Sequence, residues 1–132
     1  MKLISGHALL SITAPERPRY QFHSIMAYLG NDPPRTESVC ALYGLRHNGK
    51  TTLILQAIRE LLAQGKAPER ICLYQGEKGD DFKLLIKELD TMWKTLDYLF
   101  IDDSHNFSNF ILGSNYLYDI LVRVFNKKVV IA

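Results

Sequence analysis

Cysteine is scarce in this 132-residue sequence: Cys40 and Cys72 stand 32 positions apart and no Cys-x-x-Cys occurs. That excludes a cysteine-rich zinc site and a disulfide scaffold, and a reduced cytoplasmic protein is expected. Long apolar runs are also lacking, and none approaches the roughly 18 residues that a membrane span requires. Charge of one sign is not in surplus, with 16 Lys and Arg against 14 Asp and Glu. A non-specific nucleic-acid clamp would carry a basic stripe, so that class is disfavoured. The start, Met1-Lys2-Leu3-Ile4-Ser5-Gly6-His7, is weakly signal-like, but His7 interrupts it and no small-x-small cleavage site follows. Internal repeats and low-complexity tracts are absent. What remains is a chain that is 47% hydrophobic and 23% charged, the composition of one soluble globular domain or most of one.

Proline marks the organisation. Four of the five prolines fall before residue 35, and Gly30-Asn31-Asp32-Pro33-Pro34-Arg35 is a strong breaker. A boundary placed there divides residues 1–35, an N-terminal helical extension and linker, from residues 36–132. In the first part, Phe22, Ile25, Met26 and Leu29 have the spacing of an amphipathic helix over Tyr20–Leu29. In the second, strand and helix patterns alternate. Strands are predicted at Ser38–Tyr43, Ile71–Tyr74, Tyr98–Ile101 and Val129–Ala132. Helices are predicted at Lys50–Gln64, stopped by Gly65, at Asp81–Trp93, and at Tyr116–Phe125 behind Ser114. Such alternation implies βαβ units, a parallel sheet and helices on both faces, an α/β three-layer fold.

Gly44-Leu45-Arg46-His47-Asn48-Gly49-Lys50-Thr51 matches G-x-x-x-x-G-K-[ST], the Walker A phosphate loop, with a strand entering it and a helix leaving it. Gly44 and Gly49 allow the tight turn that aims successive N–H groups at a phosphate, and the helix N-terminus adds its partial positive charge. Lys50 is expected on the β- and γ-phosphates and the Thr51 hydroxyl on Mg²⁺. Thr52 supports the first helical turn or lies near the α-phosphate. Leu45, Arg46, His47 and Asn48 are counted with the nucleotide-binding loop; His47 either touches phosphate or, as the favoured alternative, is a loop-tip side chain. Further on, Tyr98-Leu99-Phe100-Ile101 ends in Asp102-Asp103. The C-terminal ends of parallel strands open onto the ligand crevice. Asp102 is therefore assigned to Mg²⁺ beside Thr51. Asp-Asp-Ser-His would also make a solvated turn, and it is the Walker A upstream that favours the metal reading. His105 and Asn106 come next, at the crevice mouth or in a solvated loop.

Walker A, an intervening strand and a Walker B strand ending in two acids resemble the additional-strand P-loop ATPases, and most closely the AAA+-like ATPases of bacteria and archaea. Tyr43-Gly44-Leu45-Arg46 and Tyr98-Leu99-Phe100-Ile101-Asp102 resemble the prokaryotic group whose AAA-type core precedes a C-terminal domain of uncharacterised function. The resemblance spans roughly residues 36–132 and implies an ATP-binding, Mg²⁺-dependent ATPase. Such a module works as a conformational switch or motor on a partner, either a protein or DNA.

The family's second Walker B acid is usually Glu, the general base for the attacking water. Asp103 in that position is about 1.5 Å shorter, which bears on hydrolysis rather than binding. The family's polar sensor, fifth strand and helical lid would come after the fourth core strand, so a chain truncated after that strand is expected. The family's strand order, 5-1-4-3-2, puts Val129–Ala132 between Ser38–Tyr43 and Tyr98–Ile101. Val39, Cys40, Ala41, Leu42 and Tyr43 then form a sheet edge that self-associates unless the N-terminal helix covers it. A non-catalytic nucleotide-binding fragment or interaction module is the main alternative, and a small-molecule P-loop kinase a weaker one. No Asn-Lys-x-Asp occurs, so a GTPase is not expected.

Overall fold

The computed structural model describes residues 2–11, 22–30, 40–41, 49–92, 94–106, 108 and 127–132. The predicted helix at 116–125 with its Ser114 cap, Trp93, and most of the predicted strand at 38–43 lie outside them. The described strands are β1 (Lys2–Ser5), β2 (Cys40–Ala41), β3 (Ile71–Gln75), β4 (Tyr98–Asp102) and β5 (Lys128–Ile131). The helices are α1 (Phe22–Gly30), α2 (Lys50–Ala63) and α3 (Phe82–Met92), with short 3₁₀ turns at 6–11, 68–70 and 104–106.

Among the described residues the sheet runs β1-β3-β4-β5-β2. The four strands from β3 to β2 are parallel, with Gln75 opposite Asp102, Ile101 opposite Ile131 and Cys40 opposite Val130. β5 therefore lies between β4 and the strand that leads to the phosphate loop, as the expected order required. β1 was not foreseen. It pairs antiparallel with β3, Lys2 opposite Gln75 and Ser5 opposite Cys72, so the signal-like start of the chain is a sheet strand.

α2 forms because Ile54, Ala57, Ile58 and Leu61 repeat at helical spacing and all are buried. It ends on Gly65, whose φ of 90° is open to glycine at little cost. There the N–H groups of Gly65 and Lys66 donate to the carbonyls of Leu62 and Leu61, each at 3.1 Å, a Schellman closure. α3 starts where the Asp81 carboxylate accepts from Lys83 N–H at 2.9 Å.

Alternation along the strands sends side chains to two cores. On one face Ile71, Leu73, Phe100 and Val130 pack against α2, with Leu9, Ile25 and Leu29 joining from the N-terminal segment. On the other, Cys72, Tyr74, Leu99, Ile101 and Val129 pack against Phe82, Leu85 and Leu89 of α3. β1 and α1 thus share one sheet and one core with the elements downstream of the proline-rich breaker. α1 lies against α2, and its Tyr28 hydroxyl accepts from Val129 N–H of β5 at 3.1 Å. No helix among the described residues is long and apolar enough to cross a membrane.

Candidate functional site

α2 opens at the C-terminal end of the parallel strands. Its N-cap, Gly49, is in the left-handed region at φ 81° and ψ 16°, with no side-chain cap. A side chain would strain that conformation, which explains the second fixed glycine of the motif. Leu53 N–H donates to the Gly49 carbonyl at 2.9 Å and closes the first turn. The earlier amides of the turn carry the helix's partial positive charge. Lys50 and Thr52 are half-buried there and Thr51 is exposed. Gly44, Leu45, Arg46, His47 and Asn48 lie outside the described residues.

The Thr51 hydroxyl donates to Asp102 Oδ2 at 2.7 Å, joining residues 51 positions apart. Asp102 is the last residue of β4 and only 2% exposed. Its other oxygen, Oδ1, accepts from the Asp103 N–H at 2.9 Å. Burial pushes the Asp102 carboxyl above the usual carboxylate range. The Asp103 charge adds to that rise, while the Thr51 and Asp103 hydrogen bonds and the Lys50 charge oppose it. A carboxylate held in this way favours a cation beside it.

Asp103 is exposed and has φ 53°, the one positive value at a non-glycine among the described residues. Asp tolerates that region better than most residues. The chain turns there into the 3₁₀ turn Ser104–Asn106, where Asn106 N–H donates to the Asp103 carbonyl at 3.0 Å. Ser104 N–H donates to the Ala132 carbonyl at 2.9 Å, and Asn106 Nδ2 to the Gly76 carbonyl at 2.9 Å. Gly76 N–H returns to the Asp102 carbonyl at 2.9 Å. The ends of β3, β4 and β5 are thereby tied to the turn that carries Asp103. His105 is exposed on that turn.

The structure thus brings Lys50, Thr51, Asp102 and Asp103 close together where α2 begins and β4 ends. Sequence reasoning placed Asn106 only loosely and passed over Gly76. A polar residue three positions after the second acid is the signal available for the first, and a glycine directly after a strand for the second.

The donor set fits a hard divalent cation: one hydroxyl and one carboxylate in contact, with water completing the shell, is the chemistry Mg²⁺ favours. No group of three or more His, Cys, Asp or Glu that could hold a metal occurs among the described residues, so a dedicated protein cage is not what this site resembles. In comparison with known families, a model described as an AAA domain matches residues 36–132. No curated protein and no solved structure gives a significant match.

Proposed function

The chain belongs to the AAA domain family, and from that premise we propose that it is a nucleotide-binding module that takes ATP with Mg²⁺ and hydrolyses it. The single observation that carries this reading is the 2.7 Å contact between the Thr51 hydroxyl and the buried Asp102 carboxylate. It joins the helix start of a phosphate-loop motif to the end of a strand 51 residues away, which a chance Gly-Lys-Thr would not do.

In this reading Gly44 to Thr52 wrap the nucleotide phosphates with backbone N–H groups, and Lys50 neutralises the β- and γ-phosphates. Thr51 and Asp102 hold Mg²⁺, which supplies charge neutralisation when bound. Asp103 accepts the proton of the attacking water. Its exposure supports this role, because water has access to the carboxylate. Residues 36–132 form the ATPase core, with residues 1–35 an extension that supplies β1 and α1 to it. The cycle acts as a conformational switch on a protein or DNA partner. A reduced cytoplasmic setting suits the free, buried Cys72.

Isothermal titration with ATP in Mg²⁺ tests the reading. Binding in the micromolar range that Lys50→Ala removes is the expected result, and unchanged affinity in that variant would overturn it. A second reading, a nucleotide-binding module without turnover, draws support from the short Asp103 side chain. Phosphate release from bound ATP separates the two.

A further inference from the structure

Gln75 ends β3, and in the parallel ladder it stands opposite Asp102 of β4. Ile71 and Leu73 belong to the core under α2, so the two-residue period of a strand puts Gln75 on that same face. Asp102 is on that face as well, because Thr51 at the start of α2 reaches it. Adjacent strands lie about 4.8 Å apart, which sets the Gln75 side chain one strand spacing from the buried carboxylate. Gln75 is half-buried, and no described residue hydrogen-bonds its amide.

The backbone around it is fixed on every side. Gly76 N–H donates to the Asp102 carbonyl, and the Gly76 carbonyl accepts from Asn106 Nδ2, each at 2.9 Å. β1 pairs along the other edge of β3, with Lys2 opposite Gln75. A long polar side chain therefore stands at a strand end, on the sheet face and at the register position of Asp102.

We propose that Gln75 is a further positioning residue of the metal–nucleotide site, its amide oxygen supporting the divalent cation held by Thr51 and Asp102, directly or through one of the cation's waters. This rests on the proposed role of Thr51 and Asp102 in holding Mg²⁺. Mg²⁺ takes oxygen ligands and gives up its waters reluctantly, so neutral oxygens around one or two carboxylates are its ordinary company. A neutral amide also suits this position better than an acid. Asp102 and Asp103 already repel each other, and a third carboxylate would make the ionised form of Asp102 costlier still.

The test titrates Mg²⁺ into the full chain with the non-hydrolysable analogue AMP-PNP, following nucleotide affinity by calorimetry. Parallel titrations with Mn²⁺ follow the free ion by its paramagnetic resonance. Gln75→Ala and Gln75→Leu are expected to raise the Mg²⁺ concentration that half-saturates the effect by about tenfold, the low end for losing an outer-shell partner. Affinity for AMP-PNP without metal should stay unchanged in both. Gln75→Glu, which keeps an oxygen at the position, should retain most of the metal affinity. An unaltered Mg²⁺ requirement in the Ala and Leu variants, or equal loss of metal-free binding, overturns the proposal. Thr51→Ala is the control for the underlying site. If Thr51→Ala shifts the metal requirement and Gln75→Ala does not, only the role of Gln75 falls. If neither does, the metal site itself falls, and Gln75 with it.

Discussion

β4 has an aspartate at each end, Asp97 just before it and Asp102 as its last residue, and the two are treated in opposite ways. Asp97 sits at the open N-terminal end of the sheet, where Arg70 Nη1 reaches one oxygen at 3.0 Å and Lys127 Nζ the other at 3.5 Å. Its backbone links the same strands, accepting from Lys128 N–H and donating to the Arg70 carbonyl. Asp102 is nearly sealed from water, and the two hydrogen bonds its side chain receives come from a hydroxyl and a backbone N–H. The half-buried Asp97 is paired with two cations, and ion pairs that water still reaches contribute little. The buried one is held in place with its charge incompletely compensated. The end of the sheet with the less comfortable carboxylate is the end to which the proposed ligand is assigned.

The largest effect expected from breaking this contrast is at Asp102. Asp102→Ala should abolish Mg²⁺-dependent phosphate release while leaving nucleotide binding in EDTA much less affected. Equal loss in both conditions would make Asp102 a structural residue. Next in size is Asp103→Asn, which should slow hydrolysis by about 10²–10⁴-fold at unchanged ATP affinity. Asp103→Glu should match or exceed the parent, and an Asn variant as fast as Asp would mean that another group orients the water.

The pH dependence sharpens the comparison. Because the folded Asp102 carboxyl lies above its unfolded value of about 3.8, the native state binds more protons than the unfolded one just above that pH. Stability in EDTA should therefore fall as pH rises from that value through the raised folded one. Asp102→Asn should flatten this slope and be the more stable protein at neutral pH without metal, as read by thermal melts across pH. A melting profile identical to the parent's would show that the carboxylate is not under electrostatic cost.

The α3 face of the sheet supplies a smaller test. Tyr74 is fully buried and its hydroxyl has no hydrogen-bond partner among the described residues, while burial pushes the neighbouring Cys72 thiol up to about 12. These polar atoms lie in the core on the face of the sheet opposite the one that Thr51 reaches. Tyr74→Phe should stabilise the fold by about 1 kcal/mol in urea denaturation, since an unsatisfied buried hydroxyl is a net cost, and nucleotide affinity should not change. Destabilisation would mean that the hydroxyl is satisfied in solution. The smallest effect belongs to Asp97→Ala, expected to cost less than about 1 kcal/mol and to leave turnover intact. A loss of several times that would show that the cation pair is a true structural clamp.

Much of this was legible in the sequence because it depends on local pattern. The apolar period of α2 and its glycine stop, the buried runs of β3 and β4, and the glycine at the start of the Walker helix arise from side-chain spacing and backbone freedom alone. Boundaries shifted by a residue or two where a polar end belongs to the element: Gln75 extends β3, and Asp102 lies within β4 instead of coming after it. The strand at Lys2–Ser5 was hidden because four residues beginning with a charge and ending with serine carry little period. It is strand only because β3 offers it an edge.

The sequence by itself determined the α/β alternation, the phosphate-loop motif and the pair of acids 52 positions beyond Lys50, because each is written in residue type and short-range spacing. Only the tertiary structure decided that Thr51 and Asp102 touch, that Asp102 is buried while Asp103 is exposed, and that Gln75 shares their face. Those facts depend on how the strands stack in order and register. That in turn depends on which apolar faces find each other across the sheet, a choice made by packing over the whole chain and not by any one stretch of it.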